Sequence, residues 1–402
     1  MAEQRRPSTS ASARGAAEAL PRAEGDRAAA ASASATPAPG ETGGAGGPLY
    51  RHVAFIGLGL IASSLGQAMK ALGLAERITG HARSERTRAE AREVGFVDEV
   101  FASPEEAVAG ADLVILATPV RAMGEIARRI GPRLAPGATV SDVGSVKGFV
   151  VETVRPHLPE GVHFIPAHPI AGTEHSGPKA GFPELFRGRW CIFTPLEGTD
   201  GAALARYRRL WEAVGSRVDE MDPEHHDLVL AVTSHAPHLI AYTMVGVADD
   251  LGRVTDSEVI QYSAAGFRDF TRIAASDPTM WRDVFLTNKD ATLEILGRFT
   301  EELFALQRAI RMGDGDFLHA YFTRTRTIRR GILEAGQDVP LPDFGRAVLP
   351  KVIGAETGAG RAAEAGESPS GKTGGDAGGG SDAAAGPGGG AGESGQAAAP
   401  KG

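Results

Sequence analysis

Apolar residues come in two rhythms along this chain. From His52 onward, short unbroken apolar runs alternate with longer stretches in which apolar positions recur at helical spacing. HVAFIG ends in glycine and reads as a strand, and GLGLIASSLGQAMKAL continues it as a turn and an Ala/Leu-rich helix. RITG, ADLVILATP and ATVSDVGS are further strands, separated by helices at SERTRAEAREV and GEIARRIGPRL. VAFIG and LVILA lack polar alternation, as strands covered on both faces should. Strand alternating with helix at this spacing predicts a doubly wound α/β domain with a parallel sheet. Strands at VHFIPA and RWCIFTP and a helix around LARYRRLWEAVG extend it, so that it spans residues 50–221.

The rhythm changes at Asp222. EHHDLVLAVTSHAPHLIAYTMVGVADDL, PTMWRDVFLTNKDATLEILGRFTEELFALQRAI and DFLHAYFTRTRTIRRGIL each have helical length, and strand signals disappear. Residues 222–350 therefore read as an all-helical domain. Its apolar faces are wide, with Leu293, Leu296, Phe299, Leu303, Phe304 and Leu306 on one helix. Faces that wide predict burial against a second copy of the chain, a homodimer through the helical domain.

Composition separates the ends from this patterned middle. Residues 1–48 and 354–402 are dominated by Ala, Gly, Ser, Pro and Glu and read as disordered tails, because such segments bury too little apolar surface to offset the entropy of ordering. About 300 residues of the 402 remain to fold. No window is expected to supply the roughly 18 apolar residues of a membrane span. Glu3, Glu18, Glu24 and Asp26 argue against reading the Arg/Ser/Ala-rich start as a transit peptide. A single cysteine, Cys191, excludes an internal disulfide and suits a reducing cytoplasm. The net charge of −8 gives no basic footprint for nucleic acid.

Two regions carry chemistry. Gly57, Gly59 and Ala62 form G-x-G-x-x-A between the first strand and its helix. The first glycine permits the tight turn, the second lets the backbone approach a pyrophosphate, and the helix start at Leu60 and Ile61 offers free N–H groups. Thr118, at the end of the third apolar run, ADLVILATP, joins this candidate dinucleotide set. An acid that would hold the adenosine ribose is missing after the second strand, where HARS places Arg83 and Ser84. The cofactor is therefore NAD or NADP, with NADP slightly favoured.

The second region is AHPIAGTEHSG. His168, at the end of a strand, has the titration range to accept a proton from a substrate hydroxyl as hydride leaves. Ser145 in SDVGSVKG sits at another strand end. The helical half adds His235 and His238 in TSHAPH, and Arg268, Asp269 and Arg272 in GFRDFTRIAASDPTMW, where arginines suit the capture of carboxylates. EHHD, at 224–227, does not have metal-ligand spacing, and no metal is expected.

Together VAFIGLGLIASSL, SDVGSVKG, AHPIAGTEHSG, TSHAPH and GFRDFTRIAASDPTMWRD, in this order from His52 to Leu333, resemble the prephenate/arogenate dehydrogenase family, most closely the cyclohexadienyl dehydrogenase type. The resemblance implies a Rossmann-type domain and the oxidative decarboxylation of prephenate or arogenate in tyrosine biosynthesis. It implies that His168 takes the proton of the ring hydroxyl with Ser145 hydrogen-bonded nearby, and that Arg272 binds a substrate carboxylate beside His238 or His235. Thr173 and Glu174 would line and gate the pocket, and Asp269 and Trp281 would reach a neighbouring subunit's site. A β-hydroxyacid dehydrogenase would instead need a lysine base at the domain junction. A dinucleotide-sensing regulator would have no use for His168 and Arg272 together.

Overall fold

The computed structural model describes residues 47–252 and 262–334, all within one compact unit. Both proposed tails lie outside the described residues, apart from the last two positions of the first, Gly47 and Pro48.

The first half opens with β1 (Tyr50–Ile56), α1 (Leu60–Ala71), β2 (Ala75–His81), α2 (Glu85–Val94), β3 (Glu99–Phe101), α3 (Pro104–Ala107), β4 (Leu113–Leu116) and α4 (Val120–Ile130). It continues through β5 (Thr139–Asp142), α5 (Gly148–Val154) and β6 (His163–Ile165). These six strands form one sheet in the order β3-β2-β1-β4-β5-β6, with every pairing parallel. Strand order reverses between β1 and β4, which is where open α/β sheets place their ligand crevice. Alternate residues of β1 enter different cores: Val53 and Phe55 pack with Leu65, Met69, Ile78 and Phe96, whereas Ala54 and Ile56 pack with Val114, Met123 and Val150. That two-sided burial explains the apolar runs without alternation.

VHFIPA is not a single strand of this sheet. Pro166 has no N–H to donate, and after it the chain enters β7 (Ala167–Pro169), which pairs antiparallel with β8 (Trp190–Phe193). After α6 (Gly201–Ala213), β9 (Arg217–Glu220) joins β8 in parallel. Doubly wound architecture thus accounts for six strands, and a separate three-stranded mixed sheet carries His168.

The helical half begins with α7 (Pro223–Leu230), capped by Asp222, whose side chain accepts from His225 N. A π turn, Ala231–His235, leads into α8 (Ala236–Gly252). Next come α9 (Ala265–Thr271), a 3₁₀ turn over Arg272–Ala275, α10 (Pro278–Thr287), α11 (Lys289–Met312) and α12 (Gly315–Glu334). The long apolar stretch from Pro278 is therefore two helices, broken at Asn288. Val146, just past β5, packs against Trp281 and Val284 of α10, which fixes the helical half beside the sheet.

The expectation that no segment has membrane-spanning length and hydropathy is corrected. The helical segment Pro223–Leu251, 29 residues containing an 18-residue window of mean hydropathy 1.4, is long and apolar enough by length and composition to cross a membrane. It also carries buried His226, Asp227 and His235, and its outward side chains include Val232 and Met244. On α11, Leu303 is 51% and Phe304 62% exposed, so its apolar face is not covered by the described residues.

Candidate active site

Gly57 begins the crevice with φ +102, and a Cβ there would stand 2.4 Å from the Ala117 carbonyl oxygen. Only glycine gives this turn its conformation and its closeness to the end of β4. Gly59 precedes α1, and nothing lies within 4 Å of where its Cβ would be, so a ligand backbone can approach. Leu60 and Ile61 start the helix, while Ala62 is buried against the sheet. Thr118 Oγ1, buried beside Gly57, makes no hydrogen bond among the described residues. An open glycine turn, a helix start and a hydroxyl with unused capacity fit a dinucleotide phosphate.

Arg83 is exposed, but Ser84 has a structural role, because its hydroxyl accepts from Thr87 N and caps α2. The nearest acid, Glu85, is bound by Arg88 and Arg92, and those hydrogen bonds hold its carboxyl below its ordinary range.

His168 lies in β7, beside the C-terminal end of β5, where Asp142 accepts from Ala167 N, and is 7% exposed. Its Nδ1 is 2.9 Å from His226 Nε2, and His226 Nδ1 is 2.9 Å from Asp227 Oδ1. Asp227 also accepts from Lys147 N at 2.7 Å and Gly148 N at 2.9 Å, at the start of α5. Below them sits a fully buried ion pair between the Lys147 ammonium and Asp142. Lys147 Nζ also donates to the Ala167 carbonyl at 2.7 Å, next to His168. Asp142 accepts in addition from Gly144 N and Ala167 N. Burial pushes the His168 pKa well below 6.5, and the neighbouring His226, Lys147 and His235 push the same way. His168 is therefore neutral at pH 7, with a lone pair available for a proton.

His226 and His235 are nine residues apart, which on a regular α-helix is two and a half turns, or opposite faces. The wider π turn between them takes up rotation and lets both serve one buried network, a use that recurs at functional sites. His235 Nδ1 is 3.1 Å from Asn288 Nδ2, which donates to the Asp227 carbonyl at 2.8 Å. Its Nε2 is buried with no hydrogen-bond partner among the described residues, and burial lowers its pKa to about 4, against an opposing pull from the Ser145 backbone. His238 stacks on Trp281 with ring centroids 3.7 Å apart. Burial lowers the pKa of His238, and the charge of Arg272 acts in the same direction.

Arg272 Nη1 stands 3.5 Å from Glu174 Oε2, joining the loop after His168 to the helical half. Thr173 Oγ1 accepts from His175 N and shapes that loop. Ser145 is half-buried between Gly144, bound by Asp142, and Val146, packed on Trp281. Arg268 and Asp269 are exposed on α9 and touch none of the His168 group. Trp281 is 6% exposed and packs with Val146 and Val284.

Asp142, Lys147, His226, Asp227 and Asn288 were not singled out from sequence. Four of them lie within SDVGSVKG and EHHD, but nothing local to either motif shows that the two meet. Among the described residues no cluster of three or more His, Cys, Asp or Glu could hold a metal ion.

Both halves of the chain are similar to known proteins. Residues 65–220 match the nucleotide-binding domain of prephenate dehydrogenase and residues 222–324 its dimerization domain. The glycine turn at 57–62 precedes the first match and rests on its own geometry. A cyclohexadienyl dehydrogenase from Zymomonas mobilis is 42% identical over 70% of this chain and 96% of its own. A crystal structure of prephenate dehydrogenase from A. aeolicus, in complex with hydroxyphenyl propionate and NAD+, superposes with a TM-score of 0.65 at 35% identity, covering 70% of this chain and 98% of that one. Synechocystis arogenate dehydrogenase follows with a TM-score of 0.59 at 27% identity, over 70% and 99% of the two chains.

Proposed function

The chain belongs to the prephenate dehydrogenase family, and we propose that it catalyses NAD(P)-linked oxidative decarboxylation of prephenate, arogenate or both in tyrosine biosynthesis. The observation that carries this reading is a neutral, buried His168 beside the C-terminal end of β5 in a dinucleotide fold. A bound nicotinamide supplies the acceptor for the hydride from C4 of the ring. His168 takes the proton of the 4-hydroxyl as that hydride leaves, and Ser145 hydrogen-bonds the same oxygen. The ring carboxylate departs as CO2, the electron pair of its broken bond completes the aromatic ring, and His168 returns the proton to the ring oxygen.

Arg272 exchanges its contact with Glu174 for a substrate carboxylate, with His238 or His235 beside it and Trp281 as a wall. Thr173 and Glu174 gate the entrance. Arg268 and Asp269, exposed on α9, contribute to the site of a second copy, which the uncovered face of α11 holds in a homodimer. Gly57, Gly59, Leu60, Ile61, Ala62 and Thr118 hold the dinucleotide. Arg83 beside the α2 start, with Glu85 tied to its own helix, tolerates a 2′-phosphate and favours NADP slightly. Buried Cys191 suits a cytoplasmic protein.

A lysine base, needed for a β-hydroxyacid dehydrogenase, would have to be Lys147, which is fully buried and bound to Asp142 and Ala167. Initial rates with NAD and NADP, each with prephenate and with arogenate, test the proposal. Reduction in at least one combination supports it, and silence in all four with dinucleotide bound sinks it.

A further inference from the structure

We propose that His226 and Asp227 form a positioning relay that decides which ring nitrogen of His168 takes the substrate proton. The proposal rests on the reading of His168 as proton acceptor. Asp227 is a carboxylate: two backbone N–H groups, from Lys147 and Gly148, donate to its two oxygens. Facing such an acceptor at 2.9 Å, His226 Nδ1 must carry a proton. A neutral His226 then has a bare Nε2. Nitrogen Nε2 lies 2.9 Å from His168 Nδ1, so His168 must donate, and its single proton sits on Nδ1. His168 Nε2 is left as the lone-pair atom. The opposite assignment would set a bare His226 nitrogen against a carboxylate oxygen.

Burial enforces this choice, because His226 is fully enclosed and its pKa is lowered by burial against the pull of Asp227. The charged and polar groups facing the relay come from several elements: Asp142 at the end of β5, Lys147 before α5, and His235 and Asn288 from the helical half. When His168 becomes an imidazolium, the positive charge is shared along the line toward Asp227, so the relay also supports the protonated product of the step.

His226→Phe keeps the ring volume and removes the acceptor. It is expected to lower kcat by between about 10² and 10⁴, the range for a misdirected catalytic histidine, with KM and dinucleotide affinity within about threefold. The acid limb of kcat/KM should move. His226→Gln, whose side-chain carbonyl can accept the same N–H, should recover part of the loss. His168→Asn with His226→Phe should be no slower than His168→Asn alone, because the two act as one unit.

Wild-type turnover with an unmoved acid limb in His226→Phe would overturn the relay, as would a double variant slower than His168→Asn by the full factor that His226→Phe alone costs. If His168→Asn itself keeps wild-type turnover, the proton-acceptor reading fails and takes the relay with it. A separate readout does not depend on how the variants fold: ¹⁵N-histidine spectra of the wild-type protein should show His168 protonated on Nδ1 at neutral pH. Protonation on Nε2 would refute the proposal.

Discussion

Lys147→Met would remove the ammonium from a pair whose side chains are both wholly buried. Methionine fills most of the volume, so cavity cost is small and the charge effect dominates. Asp142 would keep its bonds from Gly144 N and Ala167 N but lose the one counter-charge in contact with it, and the Ala167 carbonyl would lose its Nζ donor. Burial already pushes Asp142 upward, with Lys147 the main opposing influence, so the carboxyl would take up a proton or stay as an unpaired charge. Breaking a buried pair from one side costs about 3–5 kcal/mol. For a folded unit of this size that is a fall in Tm of roughly 6–15 °C. Urea and thermal unfolding would measure it. Asp142→Asn combined with Lys147→Met removes the stranded charge and should regain at least half the loss. A single variant less than about 1 kcal/mol below wild type, or a double variant no better than the single, would refute the reasoning.

Gly57→Ala would place its Cβ 2.4 Å from the Ala117 oxygen at φ +102, and the strain of about 1–3 kcal/mol should weaken dinucleotide binding by about fivefold or more in titration; unchanged affinity would remove the turn from the cofactor site. Arg272→Ala should raise KM by roughly ten- to a hundredfold, the loss of one charge-assisted hydrogen bond, with a smaller change in kcat; an unmoved KM excludes Arg272 from substrate binding. Stability should depend on pH through the buried histidines. The folded pKa of His235 is lowered from 6.5 to about 4, so its contribution is complete above about pH 6.5 and is lost as pH falls toward 4. At about 1.4 kcal/mol per pH unit that amounts to about 3 kcal/mol, of which about 2 kcal/mol should be gone at pH 5. Denaturation at pH 7.5 and pH 5 would show it, and equal stabilities would contradict it.

Legibility in the sequence followed how local each feature is. The Gly57 turn, the strand runs around Phe55 and Ile115 and the helical character after Asp222 are set by neighbours in the chain, and all stand in the structure. His168 and Arg272 could be singled out because their residue types are informative beside their own motifs. The His168–His226 contact spans 58 positions, and the π turn that presents His235 beside it leaves no pattern that a 3.6-residue period would reveal. Pro166, only one residue, moved His168 from the parallel sheet to a second one, and strands as short as Glu99–Phe101 and Arg217–Glu220 carry too few apolar residues to signal themselves. Ser84, read as a phosphate ligand, is also a helix cap, two roles that the same residue type serves.

The most direct test of His168 as the proton acceptor is to follow CO2 release and nicotinamide reduction together, with wild type and His168→Asn, on whichever ring substrate is turned over. The wild-type protein should release one CO2 per nicotinamide reduced, while His168→Asn should bind dinucleotide normally and slow both signals together by about 10²–10⁴. A His168→Asn protein that runs both at the wild-type rate would contradict the account.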